Sequence, residues 1–230
     1  MHVPVRVEVG LVAWFLAALL PVSASAQANH DWSGFYVGGI AGFGESGITY
    51  FDPAIPTWSL DHHPSGLLGG IRAGFNRQAG AWVYGLNADF ALSAIRGGVT
   101  DTQPGFAGDR FDADIKWIGT LTGRAGYAFG RALLFVQAGV AVVRSDLHYQ
   151  YAQTPGFGPT RLDLIRPGWT AGGGLEYALG HNWSATAEYD YVDLGRTGDV
   201  TFSPLPDGFV ANVAQVLHLL KFGFNYRWGG

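Results

Sequence analysis

The 230-residue chain contains no cysteine at all. This absence excludes a disulfide framework and thiolate metal sites. Charged residues are also scarce: they form 14% of the chain, against ~25% in ordinary soluble domains. The formal net charge of −4 provides no basic surface, so we expect no nucleic-acid partner.

After the first 26 residues the chain lacks any apolar run near the ~20 residues that a transmembrane helix needs. A shorter apolar run, residues 11–20, is followed by Pro21 and the small residues 23–26. This arrangement is typical of a secretory signal peptide with an Ala-x-Ala-like cleavage site. We therefore expect residues 1–26 to be removed and residues 27–230 to form the mature domain.

The apolar content of the chain nevertheless reaches 48%, and its last segment shows how that content is arranged. Side chains alternate between the two faces of a strand. In residues 216–228 one face is aromatic and apolar, whereas the other carries polar and charged groups. The first face holds His218, Leu220, Phe222, Phe224, Tyr226 and Trp228, and the second holds Leu219, Lys221, Gly223, Asn225 and Arg227.

Eight segments have strand character: residues 34–45, 67–78, 81–94, 114–129, 132–149, 168–179, 183–194 and 213–228. The alternation repeats in several of them, whereas the first and the fifth do not separate an apolar face clearly from a polar one. Three connections are hairpin-length turns, at residues 79–80, 130–131 and 180–182. Four are long, at residues 46–66, 95–113, 150–167 and 195–212. Short turns at one end and long loops at the other are typical of bacterial outer-membrane barrels. The sequence therefore predicts an all-β fold, an eight-stranded antiparallel up-and-down transmembrane β-barrel in the outer membrane of a Gram-negative bacterium.

The alternation also predicts which side chains face lipid. Aromatic residues concentrate on one face of the predicted strands and near their ends, as in the two aromatic girdles of membrane barrels. The outward set is Trp82, Tyr84, Trp117, Tyr177, Tyr189, Phe222 and Phe224.

Four stretches resemble a known family. They are Trp-Ser-Gly-Phe-Tyr-Val-Gly-Gly at 32–39, Leu-Thr-Gly-Arg-Ala-Gly-Tyr-Ala-Phe at 121–129, residues 168–177 and residues 182–189. In these stretches the chain resembles the small eight-stranded surface antigens of alphaproteobacteria, known as outer-membrane immunogenic or porin-family proteins. The resemblance implies a structural, surface-exposed barrel with long extracellular loops. It also implies that lipid and lipopolysaccharide surround the wall, and that the barrel-assembly machinery recognises the carboxyl-terminal strand.

Nine charged residues fall on the opposite, inward face: Arg72, Asp89, Lys116, Arg124, Glu176, Glu188, Asp190, Lys221 and Arg227. Buried charges need partners, and the interior of an eight-stranded barrel is just wide enough for side chains. We therefore predict an ion-paired network that fills the interior. The alternative is a porin-like channel for small solutes, in which the same charges would line a selective pore.

Catalysis and cofactors are not expected. Glu188 and Asp190 lie on one face of their predicted strand, and Glu176 can lie on the neighbouring strand. Such paired carboxylates can perform acid–base chemistry. However, so narrow a barrel implies no substrate cleft, and no Ser-His-acid spacing is present. We predict a protein that is not an enzyme and has no bound cofactor.

The first long loop contains Asp61, His62 and His63. Adjacent histidines can ligate a metal or haem iron, and the resemblance implies an association with haemin in some relatives. One interpretation is therefore a haemin or metal site at His62 and His63. The other is a solvated loop that serves as antigenic surface or contacts a host ligand.

Overall fold

The computed structural model describes residues 30–52, 54–55, 58–103, 107–150, 152, 160–198, 200–201 and 210–228. The predicted signal peptide, residues 1–26, lies outside these described residues. Within them, no helix is long and apolar enough to cross a membrane.

Ten strands run in chain order: β1 (Gly34–Phe51), β2 (Ser59–His62), β3 (Ser65–Ala79), β4 (Trp82–Thr100), β5 (Arg110–Phe129), β6 (Ala132–Gln150), β7 (Thr160–Gly180), β8 (Trp183–Arg196), β9 (Val200–Thr201) and β10 (Val210–Trp228). Eight of them form a ring in the order β1, β3, β4, β5, β6, β7, β8, β10, and antiparallel pairing of β10 with β1 closes it. The predicted eight-stranded antiparallel barrel is confirmed. The short strands β2 and β9 pair with β1 and β10 respectively.

Tight turns connect the ring at one end. The turns after β3 and β5 contain Gly80 and Gly130 with φ of 64° and 60°, and the turn after β7 contains His181 with φ of 50°. Positive φ is the backbone conformation that two-residue hairpins of matching twist require. At the same end Phe35 pairs with Trp228, so the ring begins and ends on the short-turn side.

The strands extend farther than the sequence predicts at the opposite end. Residues assigned to long loops continue β1 to Phe51 and β4 to Thr100, and they start β5 at Arg110. The physical reason is that the alternation continues: Ile48 and Tyr50 still face inward and are buried. The predicted long loops are therefore wrong in their bounds, because strand pairing continues through much of them.

The outer surface changes character at one level around the ring. The seven predicted aromatic residues lie on it, six of them well exposed and Trp117 partly so. The apolar band ends at residues such as Leu92, Val142 and Ile165, and charged outward residues follow within one or two outward positions, at Arg96, Arg144 and Asp163. A membrane crossing takes 9–11 tilted residues, whereas the ring strands have 14 to 21. We call the part above the apolar band the extension.

The interior is layered. From the short-turn end it contains a small apolar cluster around Trp32, then a layer of charged side chains, then a second apolar cluster with Ile95 and Ile115 at its centre. A thin polar layer follows, and an aromatic core fills the extension. The polar layer comprises Ser46, Ser145, Arg166 and Gln215, and the aromatic core includes Ile48, Tyr50, Trp58, Leu60, Phe111, Leu147, Tyr149 and Val213.

The membrane-facing assignment can be tested at Leu86, which is 61% exposed in the middle of the wall. We expect Leu86→Arg to lower the free energy of unfolding in lipid by ~2–4 kcal/mol, because a charge at the bilayer midplane is poorly solvated. Leu179→Arg, at the short-turn end of the same wall, should lose only ~0–1 kcal/mol. Urea titration of both variants in vesicles measures the difference. Equal stability of the two variants would show that Leu86 does not face the bilayer interior.

Candidate functional site

Arg72 on β3 makes the central contacts of the charged layer. Its Nε donates to Asp89 Oδ1 at 2.8 Å and its Nη2 to Asp89 Oδ2 at 2.7 Å, across the β3–β4 pair. The same Nη2 contacts Glu188 on β8. The guanidinium therefore holds Asp89 on the neighbouring strand through a bidentate contact, one of the strong kinds of charged hydrogen bond. Its contact with Glu188 reaches across the barrel to β8.

Lys221 on β10 completes this group. Its Nζ lies 2.6 Å from Asp89 Oδ2, 2.8 Å from Glu188 Oε1 and 2.7 Å from Asp190 Oδ2. The far oxygen of Asp190 accepts a hydrogen bond of 2.7 Å from the amide of Gln137. Two cations thus hold three carboxylates, and the ammonium group has a carboxylate for each of its protons.

Glu176 on β7 organises a second group nearer the short turns. Its Oε2 accepts from Arg124 Nη2 at 2.6 Å, and its Oε1 lies 3.1 Å from Arg227 Nη2. Oε1 also accepts from the hydroxyl of Ser184 at 2.6 Å and from the amide of Asn225 at 3.2 Å. Here two cations share one carboxylate.

Tyr36 joins the two groups. Arg124 Nη1 donates to its hydroxyl at 3.2 Å, the hydroxyl donates to Asn87 Oδ1 at 2.9 Å, and Asn87 donates to Asp89 Oδ1 at 2.9 Å. The joined network has four cations and four carboxylates: Arg72, Arg124, Lys221, Arg227, Asp89, Glu176, Glu188 and Asp190. We call these eight buried residues the charged layer. Its balance matters because an unpaired charge in a desolvated interior is strongly destabilising.

Inward glycines make room for this layer. A Cβ on Gly74 would lie 2.3 Å from the ring of Tyr36, and one on Gly172 would lie 2.0 Å from Asp190 Oδ1. Each distance is far below van der Waals contact. The glycine content of the wall therefore has a specific use: larger residues there would displace the side chains that connect or balance the network.

Lys116 is the one predicted member that does not join the charged layer. A β-bulge in β5 between Ile115 and Trp117 inserts one extra residue and reverses the faces beyond it. Ile115 is consequently buried inside, although the alternation predicts it outside, and Lys116 emerges on the outer surface. There it pairs with Asp114 and lies 3.5 Å from Asp146.

The burial of Trp32 and Arg166 inside the barrel was not predicted. Trp32 precedes β1, so alternation does not apply to it; its backbone N–H donates to Gln78 at 2.7 Å, and Arg227 lies 4.9 Å over its ring. Arg166 falls before the predicted start of its strand. It donates to the carbonyls of Leu194 and Gly195, at 2.9 Å each, and has no carboxylate partner among the described residues.

The structure separates the two histidines of the first loop. His62 is the last residue of β2 and faces the interior of the extension, where it is 4% exposed. Neither ring nitrogen has a hydrogen-bond partner among the described residues. The His63 side chain is 65% exposed, with Nδ1 3.7 Å from Glu45 Oε1. Since one imidazole is buried inside the extension and the other is exposed outside it, the two do not converge on one ion. The part of the chain described contains no group of three or more His, Cys, Asp or Glu suited to a metal.

Comparison with known proteins agrees with this architecture. The family model described as "Outer membrane protein beta-barrel domain" matches residues 14–227. The chain belongs to this family. It is therefore an integral β-barrel protein of the outer membrane, as the sequence predicts.

Two relatives are similar over most of their length. The 31 kDa outer-membrane immunogenic protein of Brucella melitensis is 29% identical, covering 90% of this chain and 88% of the relative. The 22 kDa outer membrane protein of Rhizobium leguminosarum bv. viciae is 30% identical, covering 86% and 82%. Among solved structures, the outer membrane protein OprG of Pseudomonas aeruginosa superposes with a TM-score of 0.50 at 13% identity, covering 87% of this chain and 99% of OprG. This last similarity concerns the fold alone.

The charged layer can be tested at Glu176, the carboxylate that Arg124 and Arg227 share. We expect Glu176→Gln to cost ~3–5 kcal/mol, because it leaves buried positive charge uncompensated. The matched control is Asp163→Asn, which removes one carboxylate from an exposed pair with Arg144 and should cost less than ~1 kcal/mol. Urea unfolding in vesicles compares them. A Glu176 variant as stable as the control would contradict the assigned ion pairs.

A pH prediction follows from His62. Burial lowers its pKa below the ordinary 6.5 and outweighs the opposing field of Asp112. Because the unfolded imidazole then binds a proton more readily than the folded one, the extension is most stable above pH ~6.5 and loses stability as the pH falls below it. Hydrogen-exchange protection of β2, corrected for intrinsic rates, should therefore fall between pH 7.5 and 5.0.

The control variants separate the two histidines. His62→Leu should remove the pH dependence of β2 protection, whereas His63→Gln should keep it. The assignment would be refuted by a wild-type protection factor that is constant over this range, or by loss of the dependence in the His63 variant instead.

Proposed function

We propose that this protein is a non-conducting structural barrel that presents its extension at the cell surface. The observation that carries the proposal is that side chains fill the interior in successive layers over the length of the described ring. Neither a solute path nor a substrate cleft fits this arrangement.

The charged layer supports closure because each carboxylate in it is engaged by a cation. A passing ion would have to separate these ion pairs. Removing one partner of such a buried pair costs ~3–5 kcal/mol, because the other charge is left uncompensated. An interior cavity beside Asp89 and Lys221 has a volume of about 10 Å³. That is about the minimum space for one water molecule, which is far from a continuous channel.

The second apolar cluster, which lies above the charged layer, also supports a closed lumen. Ile95, Ile115 and Leu217 are fully buried there, above the charged layer. A hydrated ion crossing this cluster would exchange its water for aliphatic side chains, which is strongly unfavourable. A porin-like channel would therefore need both the ion pairs and the apolar packing to open together.

The extension has the properties of a rigid platform. Its aromatic core is tied to the connecting segments by two buried carboxylates: the indole of Trp58 donates to Asp101 at 2.8 Å and the hydroxyl of Tyr149 to Asp109 at 2.6 Å. Such charge-assisted hydrogen bonds are about twice as strong as neutral ones, so they hold Asp101 and Asp109 against the aromatic core. The naming of the Brucella melitensis relative as an outer-membrane immunogenic protein supports surface presentation of this part in the present chain.

The other candidate functions have less support. Acid–base catalysis would need a free carboxylate, but Glu188 and Asp190 both contact Lys221. A histidine pair for haemin would need His62, which is buried and faces away from His63. We infer a non-catalytic protein whose wall contacts lipid, whose β10 strand is offered to the assembly machinery, and whose ligands bind the outside of the extension.

Conductance in planar bilayers distinguishes this proposal from a channel. We expect purified, folded wild-type protein to give no steady conductance, because ion pairs and apolar side chains fill the interior of the described ring. A sixteen-stranded porin, whose wider barrel leaves an aqueous channel, serves as the positive control in the same membranes. Uniform, stepwise openings of the wild-type protein would overturn the proposal in favour of a porin-like channel.

A further inference from the structure

A groove crosses the outer face of the extension over β4, β5 and β6. Its volume is about 470 Å³, which lies in the ~300–1,000 Å³ range of small-ligand pockets. We call it the lateral groove. Its polar lining comprises Arg96, Arg110, Asp112, Asp114, His148 and Gln150.

The position of the lateral groove along the barrel axis indicates which molecules can reach it. On β4, Arg96 is two outward positions above Leu92, and on β5, Asp114 lies just above Trp117; Leu92 and Trp117 belong to the apolar band. With the extension outside the cell, as proposed above, the groove opens sideways at the level where the head groups of the outer leaflet surround the barrel. A ligand anchored in that leaflet reaches it without leaving the membrane.

The charges of the groove leave donors uncommitted. Asp112 is held by Arg110 through two contacts of 2.9 Å, and Asp114 is held by Lys116. Arg96 stands opposite Asp114 in the strand register, but neither it nor His148 makes a hydrogen bond or ion pair within the described part of the chain. Each carboxylate thus has its own cation, and a guanidinium and an imidazole remain for a ligand.

Two backbone features shape this site. The β-bulge in β5 turns Lys116 outward, where it neutralises Asp114, and bulges commonly re-aim side chains at binding sites. At Gly98, a Cβ would lie 2.0 Å from Asp112 Oδ1 and 2.8 Å from Arg110 Nη2. Glycine at this position therefore allows the Arg110–Asp112 pair to lie across β4 as part of the groove.

We propose that the lateral groove binds the phosphorylated saccharide head of lipopolysaccharide in the outer leaflet. The free guanidinium of Arg96 matches a phosphate, which arginine binds bidentately. His148, Gln150 and the paired Asp112 supply donors and acceptors for sugar hydroxyls. This inference does not depend on whether the lumen conducts.

The test uses the mature, folded protein in detergent micelles. The probes are a bisphosphorylated lipid A with two core sugars and the same lipid after removal of its phosphates, titrated by calorimetry. We expect the phosphorylated lipid to bind at least ten-fold more tightly. Arg96→Gln combined with His148→Gln should lose at least ten-fold in affinity, and the matched control Arg196→Gln, an exposed arginine at the end of β8, should bind like wild type.

A steric variant and a competitor complete the design. Gly98→Val should weaken binding without changing any charge, and it keeps the test decisive if the double variant does not fold. Unchanged affinity of the double or the Gly98 variant, or equal binding of both lipids, would overturn the proposal. Displacement of lipid A by a soluble sulfated polysaccharide at equal charge concentration would also overturn it, because the groove would then serve a soluble polyanion.

Discussion

Closure of eight strands leaves an interior just wide enough for side chains, so the inward charges must find their counter-charges within the ring. The charged layer meets this constraint with four cations and four carboxylates. Its contacts run across the barrel as well as between neighbouring strands: Arg72 on β3 reaches Glu188 on β8, and Lys221 on β10 reaches Asp89 on β4. These pairs therefore act as ties across the barrel, and the glycines of the wall are placed where those ties need room.

The two ends of the barrel are built for different surroundings, lipid for the membrane part and water for the extension. In the membrane the outer surface is apolar and the interior carries the charged layer. In the extension the outer surface is charged and the interior is an aromatic core, as in a water-soluble barrel. The changeover happens within single strands: β5 carries buried Arg124 below the bulge and buried Phe111 above it. Because the upper interior is apolar, the same strands that form a stable extension also close the lumen.

The strand-like segments and the turns between them predicted the eight strands. Alternation predicted the aromatic outer face and the facing of eight of the nine inward charges, because a period of two is a property of the backbone. It failed at Lys116, since one inserted residue reverses every later facing and no local pattern marks it. The predicted strands also end too early on the long-loop side, because the outward positions there are polar and prolines interrupt the alternating pattern. The predicted histidine pair has the same origin, because the sequence places His62 and His63 together in a loop, whereas β2 includes His62 and faces it inward.

Trp32 and Arg166 show a second limit. Trp32 lies before the first strand, and its burial over Arg227 depends on where the ring closes, which pairs residues almost 200 positions apart. Arg166 is buried by strand pairing that continues past its predicted start. Both depend on contacts distant in sequence, which a periodic pattern does not encode.

The central claim is that the interior is filled and dry above the charged layer. The most direct test is magnetisation transfer from water to isoleucine methyl groups in methyl-labelled protein, folded in micelles. Ile95, Ile115 and Ile118 are buried in the apolar cluster, whereas Ile55 is exposed near the top of the extension. We predict water contact at Ile55 and none at Ile95 and Ile115, whereas Ile118 borders the small cavity beside Asp89 and Lys221 and reports on that cavity alone. Transfer to Ile95 and Ile115 as strong as that to Ile55 would show a hydrated lumen and contradict this prediction.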